Sequence, residues 1–213
     1  MTAPHPAKGR SGSKEEKFMR NTNQKTLRLA QLAILIALEA VMTFTPLGFI
    51  MVPPISITLL HIPVIVGAVL MGPVDGGILG LGFGLLSMTR ASFMASSPAD
   101  MAFSPFLSGE PLSSIVMCII PRILLGVIAG GLYLLLSKKI KSGVLAMGIS
   151  AVAATFCHSM MVLGLLSLLF QSLPLGEVLA ALVGVNCLLE MLAAAVVAVA
   201  VCKPLQRILR RAK

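Results

Sequence analysis

Long apolar runs alternate with short polar breaks along this chain, and two windows, Ala40 to Val74 and Ser142 to Gly176, contain no Asp, Glu, Lys or Arg. A helix that crosses a bilayer needs about 20 mostly apolar residues, so each window has room for one. Short strands in strict alternation are absent, which makes helices the predicted element. Turn and charge signals divide the chain into six candidate spans: Leu29 to Ile50, Ile57 to Met71, Gly76 to Ser92, Leu112 to Leu136, Val144 to Phe170 and Val178 to Val201. The second and third are short, and GPVDGG (Gly72 to Gly77) between them reads as a tight turn. The expected fold class is therefore all-α: a polytopic bundle of six transmembrane helices over residues 28–205, with basic tails at 1–27 and 206–213. The first tail is polar and expected to be disordered. It is too long and too charged for a secretory leader, so the apolar run after it is expected to remain as the first span.

Composition agrees with this pattern. Apolar residues make up 57% of the 213 and charged residues only 12%, outside the range of ordinary soluble domains. Charge then orients the bundle. Of 17 Lys and Arg, 15 lie in three clusters, the first 28 residues, SKKIKS (Ser137 to Ser142) and KPLQRILRRAK (Lys203 to Lys213), and six spans put all three on one side. The positive-inside rule places both termini in the cytoplasm and the loops Met51 to Ser56, Ala91 to Pro111 and Gln171 to Glu177 outside. The net charge of +9 is thereby explained as a topology signal, with contact to anionic membrane lipid secondary. Scattered basic residues accompanied by one Tyr and no Trp argue against nucleic-acid binding.

Small residues recur at helical spacing. Gly76, Gly80 and Gly84 form a smooth stripe in the third span, Gly126 and Gly130 another in the fourth, and Ala33 and Ala37 a weaker one in the first. In lipid such stripes let helix backbones approach closely. The glycines read first as packing within the bundle; the alanine pair says little by itself.

Ionisable groups inside spans cost roughly 2.5 to 3.5 kcal/mol each at the bilayer centre, so they are usually paired or line a cavity. This chain keeps Glu39, His61, Arg90, Arg122, His158 and Glu190 there, with Asn186 beside them. Asn186 and Glu190 are four apart and share a helix face, which could meet Arg122 and His158 across a cavity. The competing reading is a structural ion pair of Arg122 with Glu190 or Glu39. Arg90, at the end of the third span, could orient an anionic solute at the outer mouth or snorkel to headgroups. The loop after it, ASFMASSPADMAFSPFLSGEPLS, could cap a pocket. Cys118, Cys157, Cys187 and Cys202 lack a C-x-x-C pair and read as buried apolar residues.

Enzyme chemistry is not indicated. The chain has no G-x-x-x-x-G-K-[ST] phosphate loop, no H-E-x-x-H zinc motif and no G-x-S-x-G nucleophile turn. His5, His61 and His158 are too dispersed for a metal site, and no cofactor is expected. Active transport would need a partner or an ion gradient. An independent ion-coupled carrier normally carries internal repeats with broken helices, and no repeat is visible.

The block ITLLHIPVIVGAVLMGPVDGGILGLGFG across spans two and three, PRILLGVIAGG at Pro121 to Gly131, and a six-span chain with a basic end together resemble the substrate-binding S components of energy-coupling-factor (ECF) vitamin transporters, over about residues 28 to 205. The resemblance implies a protein of the bacterial cytoplasmic membrane that binds a vitamin or vitamin precursor from outside. It further implies association with a transmembrane T component and two cytoplasmic ATPase subunits, and toppling within the bilayer to release the ligand inward. Ala33 and Ala37 would be the A-x-x-x-A coupling motif that slides against the T component. The TLLHIP-x-I-x-G-x-x-x-GP pattern is most similar to the pantothenate subgroup. On that reading Arg90 or Arg122 pairs with the ligand carboxylate, and His158, Asn186 and Glu190 bond its hydroxyls and amide. His61 either faces the cavity or caps or cross-links outer helix ends. Riboflavin is the alternative, for which the chain offers few aromatic platforms.

Overall fold

The computed structural model describes residues 12–52, 55–95, 98–170 and 187–211. Helix α1 (Gly12–Phe44) leads through a single 3-10 turn (Pro46–Gly48) into a two-stranded hairpin, β1 (Phe49–Val52) and β2 (Ile55–Thr58). Then come α2 (Ile62–Met71), α3 (Pro73–Met94), the short α4 (Pro98–Ala102), α5 (Pro111–Lys139), α6 (Gly143–Leu169) and α7 (Cys187–Arg211). Five of these helices are long and apolar enough to cross a membrane, α1 through its Gln24–Phe44 portion, and α2 is a shorter apolar helix.

The bundle is helical as expected, with one short hairpin where the second span was expected to begin. Two β-rich tetrapeptides, FIMV and ISIT, flank Pro53 and Pro54 in sequence and pair antiparallel, with Phe49 opposite Thr58 and Val52 opposite Ile55. β-Branched residues fit a pleated surface, and proline cannot continue a helix there. The predicted second span, Ile57 to Met71, accordingly resolves into the end of β2, a turn at Leu59 to His61 and the 10-residue α2. Pro63 lies in the first turn of α2, where its missing N–H costs no intrahelical bond. At the other boundary α1 begins at Gly12, well before the predicted first span. Part of the expected sixth span, residues 178–186, lies outside the described residues.

The α2–α3 corner is a tight turn, as GPVDGG suggested. Gly72 adopts φ 107°, open to glycine and costly for other residues, while its N–H caps Ala68 and Pro73 opens α3. Asp75 in the first turn of α3 is buried and receives Arg28 of α1, whose Nε donates to both carboxylate oxygens at 2.7 and 2.9 Å. At this same end Gly130 of α5 abuts Pro73, and Gln206 of α7 donates to the Tyr133 hydroxyl at 2.8 Å. The opposite end holds the hairpin, α4 and the cluster of Ala102, Met117, Leu166 and Phe170.

Glycine stripes bring α3 and α5 together. A methyl added to Gly76 would stand 2.6 Å from the Gly126 carbonyl oxygen, and one on Gly84 would stand 2.8 Å from that of Cys118. Gly80 sits against the Arg122 carbonyl and Gly126 against that of Gly76, closer still. The two stripes therefore face each other with backbone against backbone, the geometry small residues permit in lipid. Around this pair the core is apolar, built from Val64, Ile65, Leu79, Phe83, Leu125 and neighbours. Outward positions such as Ile34, Leu81, Val127, Leu192 and Val196 are also apolar and exposed, which suits hydrocarbon and not water.

Candidate functional site

Backbone contact between α3 and α5 fixes where their side chains meet. Helical side chains tilt toward their own N-terminus, so Arg122 of α5 leans toward the hairpin end. There it enters a cavity of about 290 Å³ walled by α3, α5, α6, the start of α7, the β2–α2 turn and the loop that carries α4. The volume is at the small end for a site that encloses one small molecule.

Arg122 is 6% exposed, and its surroundings are specific. Its guanidinium carbon lies 4.9 Å from the centroid of Phe103 and 5.5 Å from that of Phe83, within cation–π range of both. Nη1 donates to the Met117 carbonyl at 2.6 Å, while Nε is buried and has no partner among the described residues. Among those residues no ion pair joins Arg122 to Glu39 or Glu190, so the structural ion-pair reading is not met. Glu39 instead lies fully buried on α1 beside Gly82, both carboxylate oxygens unpartnered.

The other groups are held from several elements. His158 of α6 places Nδ1 3.2 Å from the Pro121 carbonyl, and its ring is 6.3 Å from Phe83. A carbonyl only accepts, so Nδ1 donates in this bond and Nε2 is left for another partner. Glu190 accepts the Thr58 backbone N–H at 3.0 Å and so ties α7 to the hairpin. His61 occupies the position before α2, buried, with Nε2 unpartnered among the described residues and no side-chain capping bond. His61 lines the cavity and is hydrogen-bonded to the Thr58 backbone.

The described part of the loop beside the cavity is held by hydrogen bonds. Ser114 Oγ donates to the Ala102 carbonyl at 2.7 Å, the Cys118 thiol donates to the Phe103 carbonyl, and Ser104 is fully buried against Ser92 Oγ at 3.0 Å. Through it Asp100 and Phe103 line the site.

His61, Arg90, Arg122, His158 and Glu190 thus share one cavity, with Arg90 half-buried. Asn186 lies outside the described residues. Ala33 and Ala37 are exposed on α1, away from the cavity. Sequence reasoning did not single out Thr58, Phe83, Asp100 or Phe103. Phe83 stands in the glycine stripe GLGFG and Phe103 in the capping loop; an aromatic beside each small-residue run was the available signal. Among the described residues no three His, Cys, Asp or Glu side chains gather as metal ligands.

A helical membrane bundle with a small arginine-bearing cavity toward one end has a place for a small solute. Residues 27–202 match the family described as "ECF transporter, substrate-specific component", and the chain belongs to that family. It is also similar to the pantothenic acid transporter PanT of Lactococcus lactis subsp. cremoris (strain MG1363), 34% identical over 188 residues that cover 83% of this chain and 92% of PanT. The protein is accordingly a multi-pass cell-membrane S component of vitamin uptake. Its family is one of transporter components, not enzymes, and in general associates with T and ATPase components.

Proposed function

We propose that this chain is the S component of an ECF importer for pantothenate, with six spans, both termini cytoplasmic and ATP hydrolysed by partner subunits. The orientation rests on charge: Arg28, Lys138, Lys139, Lys141, Lys203 and Arg207 belong to the end opposite the cavity. The cavity then opens outward. The observation that carries the ligand assignment is Arg122, a buried cation between two phenylalanine rings with an unused Nε donor. Leaving a buried donor unsatisfied costs about 1–3 kcal/mol, which a carboxylate would return through a charge-assisted bond. Pantothenate supplies that carboxylate together with hydroxyl and amide groups for His158 Nε2, Glu190 and Asn186. Its similarity to PanT favours the same ligand, and the small cavity, with no Trp or Tyr among the described residues of its wall, disfavours a flavin.

Equilibrium binding of radiolabelled pantothenate to the purified protein, with riboflavin as comparator, tests the assignment. Binding should be tight and specific for pantothenate, and Arg122→Ala should weaken it by about 2–3 kcal/mol, 30- to 150-fold. Tight binding of riboflavin and none of pantothenate would replace the ligand while keeping the transporter class. Accumulation in liposomes from an ion gradient, with no ATPase co-purifying, would sink that class as well.

A further inference from the structure

Pro121 stands inside α5, fully buried, one residue before the arginine of the cavity. In a regular helix the N–H of residue 121 would bond to the carbonyl of residue 117. Proline has no N–H, so the Met117 carbonyl loses that donor. Arg122 Nη1 bonds to this same carbonyl, at 2.6 Å. The vacancy made by one residue is filled by the side chain of the next. One N–H of Nη1 is thereby used, and the guanidinium is held within cation–π range of Phe83 and Phe103 with Nε unused. The Pro121 carbonyl also holds His158 Nδ1 at 3.2 Å, so both polar groups of this wall are aimed from one turn of α5.

We propose that Pro121 is a positioning residue for ligand recognition: by withholding its N–H it frees the Met117 carbonyl to orient the Arg122 guanidinium toward the ligand carboxylate. This rests on the pantothenate reading above. An amide N–H restored at 121 would compete for the Met117 carbonyl, and the guanidinium would lose the bond that fixes its plane. Recognition of a carboxylate depends on that plane, because guanidinium and carboxylate meet as two flat forks. Recognition of a hydroxyl does not.

The test compares pantothenate with pantothenol, the neutral alcohol that differs only where the carboxylate stands. Wild type, Pro121→Ala and Pro121→Val are purified as full chains; both variants restore the N–H, and Val nearly keeps the volume. In both, pantothenate affinity should fall about tenfold while pantothenol affinity holds, and the ligand-free thermal midpoint should stay level or rise as the helix regains a bond. In the double variant with Arg122→Ala, the substitution at 121 should add nothing further. An unchanged pantothenate-to-pantothenol ratio in both variants overturns the positioning role while the pantothenate reading stands. Equal loss for both ligands also overturns it, since that pattern marks general packing. A wild-type protein that does not prefer pantothenate to pantothenol overturns this inference and the ligand assignment together.

Discussion

Two buried charged residues in this bundle meet opposite circumstances. Arg122 has two rings within cation–π range and a carbonyl on one nitrogen, and it faces a cavity; Glu39 has no polar partner among the described residues and does not line that cavity. Burying a polar group without a hydrogen bond costs about 1–3 kcal/mol by protein mutational data. Glu39→Met, of similar length and without the polar end, should therefore raise the thermal midpoint of the detergent-purified protein and leave pantothenate affinity within twofold. A lowered midpoint would mean that the carboxyl has a favourable partner in the folded protein. Sequence alone placed both residues in apolar spans and weighed an ion pair between them. It could not separate them, because pairing depends on which helix faces meet. The same limit hid Phe83 and Phe103: an aromatic in an apolar run reads as packing until the arginine it covers is located.

At the scale of elements, the local spacing of small residues was informative. Stripes at 76, 80, 84 and at 126, 130 were legible as close-approach surfaces, and they meet each other in the α3–α5 contact. Their mutual pairing was not legible, since neither stripe names its partner. The hairpin was missed for another reason: hydropathy does not distinguish a strand from a helix in a short apolar run, and ISIT was absorbed into the second span. Packing by backbone contact predicts intolerance of any side chain. A methyl at Gly126 would overlap the Gly76 carbonyl, and that neighbour is main chain, which yields only if the helices separate. Overpacking of this kind costs typically 1–3 kcal/mol. Gly126→Ala should lower the thermal midpoint and, by parting Phe83 from Arg122, weaken ligand binding, whereas Gly131→Ala, with open space at its added carbon, should change neither. Equal tolerance at both positions would show that the α3–α5 approach is looser than drawn.

For the whole molecule, the cavity and the surface expected to meet a partner lie on different parts of the fold. Ala33 and Ala37 are exposed on α1, whereas the cavity is walled by α3, α5, α6, α7 and the segments over its mouth. The alanines also do not line the apolar groove, about 490 Å³, that runs between α1, α2 and α7; Ile34, Leu35 and Leu38 do. One face of α1 is thus packed on the bundle through Leu32 and Glu39, another borders the groove, and the alanine face is left with small side chains outward. Small side chains on that face would let a partner helix come close there. Separation of the two surfaces predicts separable defects. Ala33→Leu together with Ala37→Leu should leave pantothenate affinity and the thermal midpoint of the isolated protein unchanged, because neither side chain touches the core or the cavity. Uptake by cells that express the full transporter should fall by at least tenfold, and co-purification of the T component should fall with it. Full uptake by the double variant would remove this face of α1 from the coupling surface and turn attention to the groove beside it.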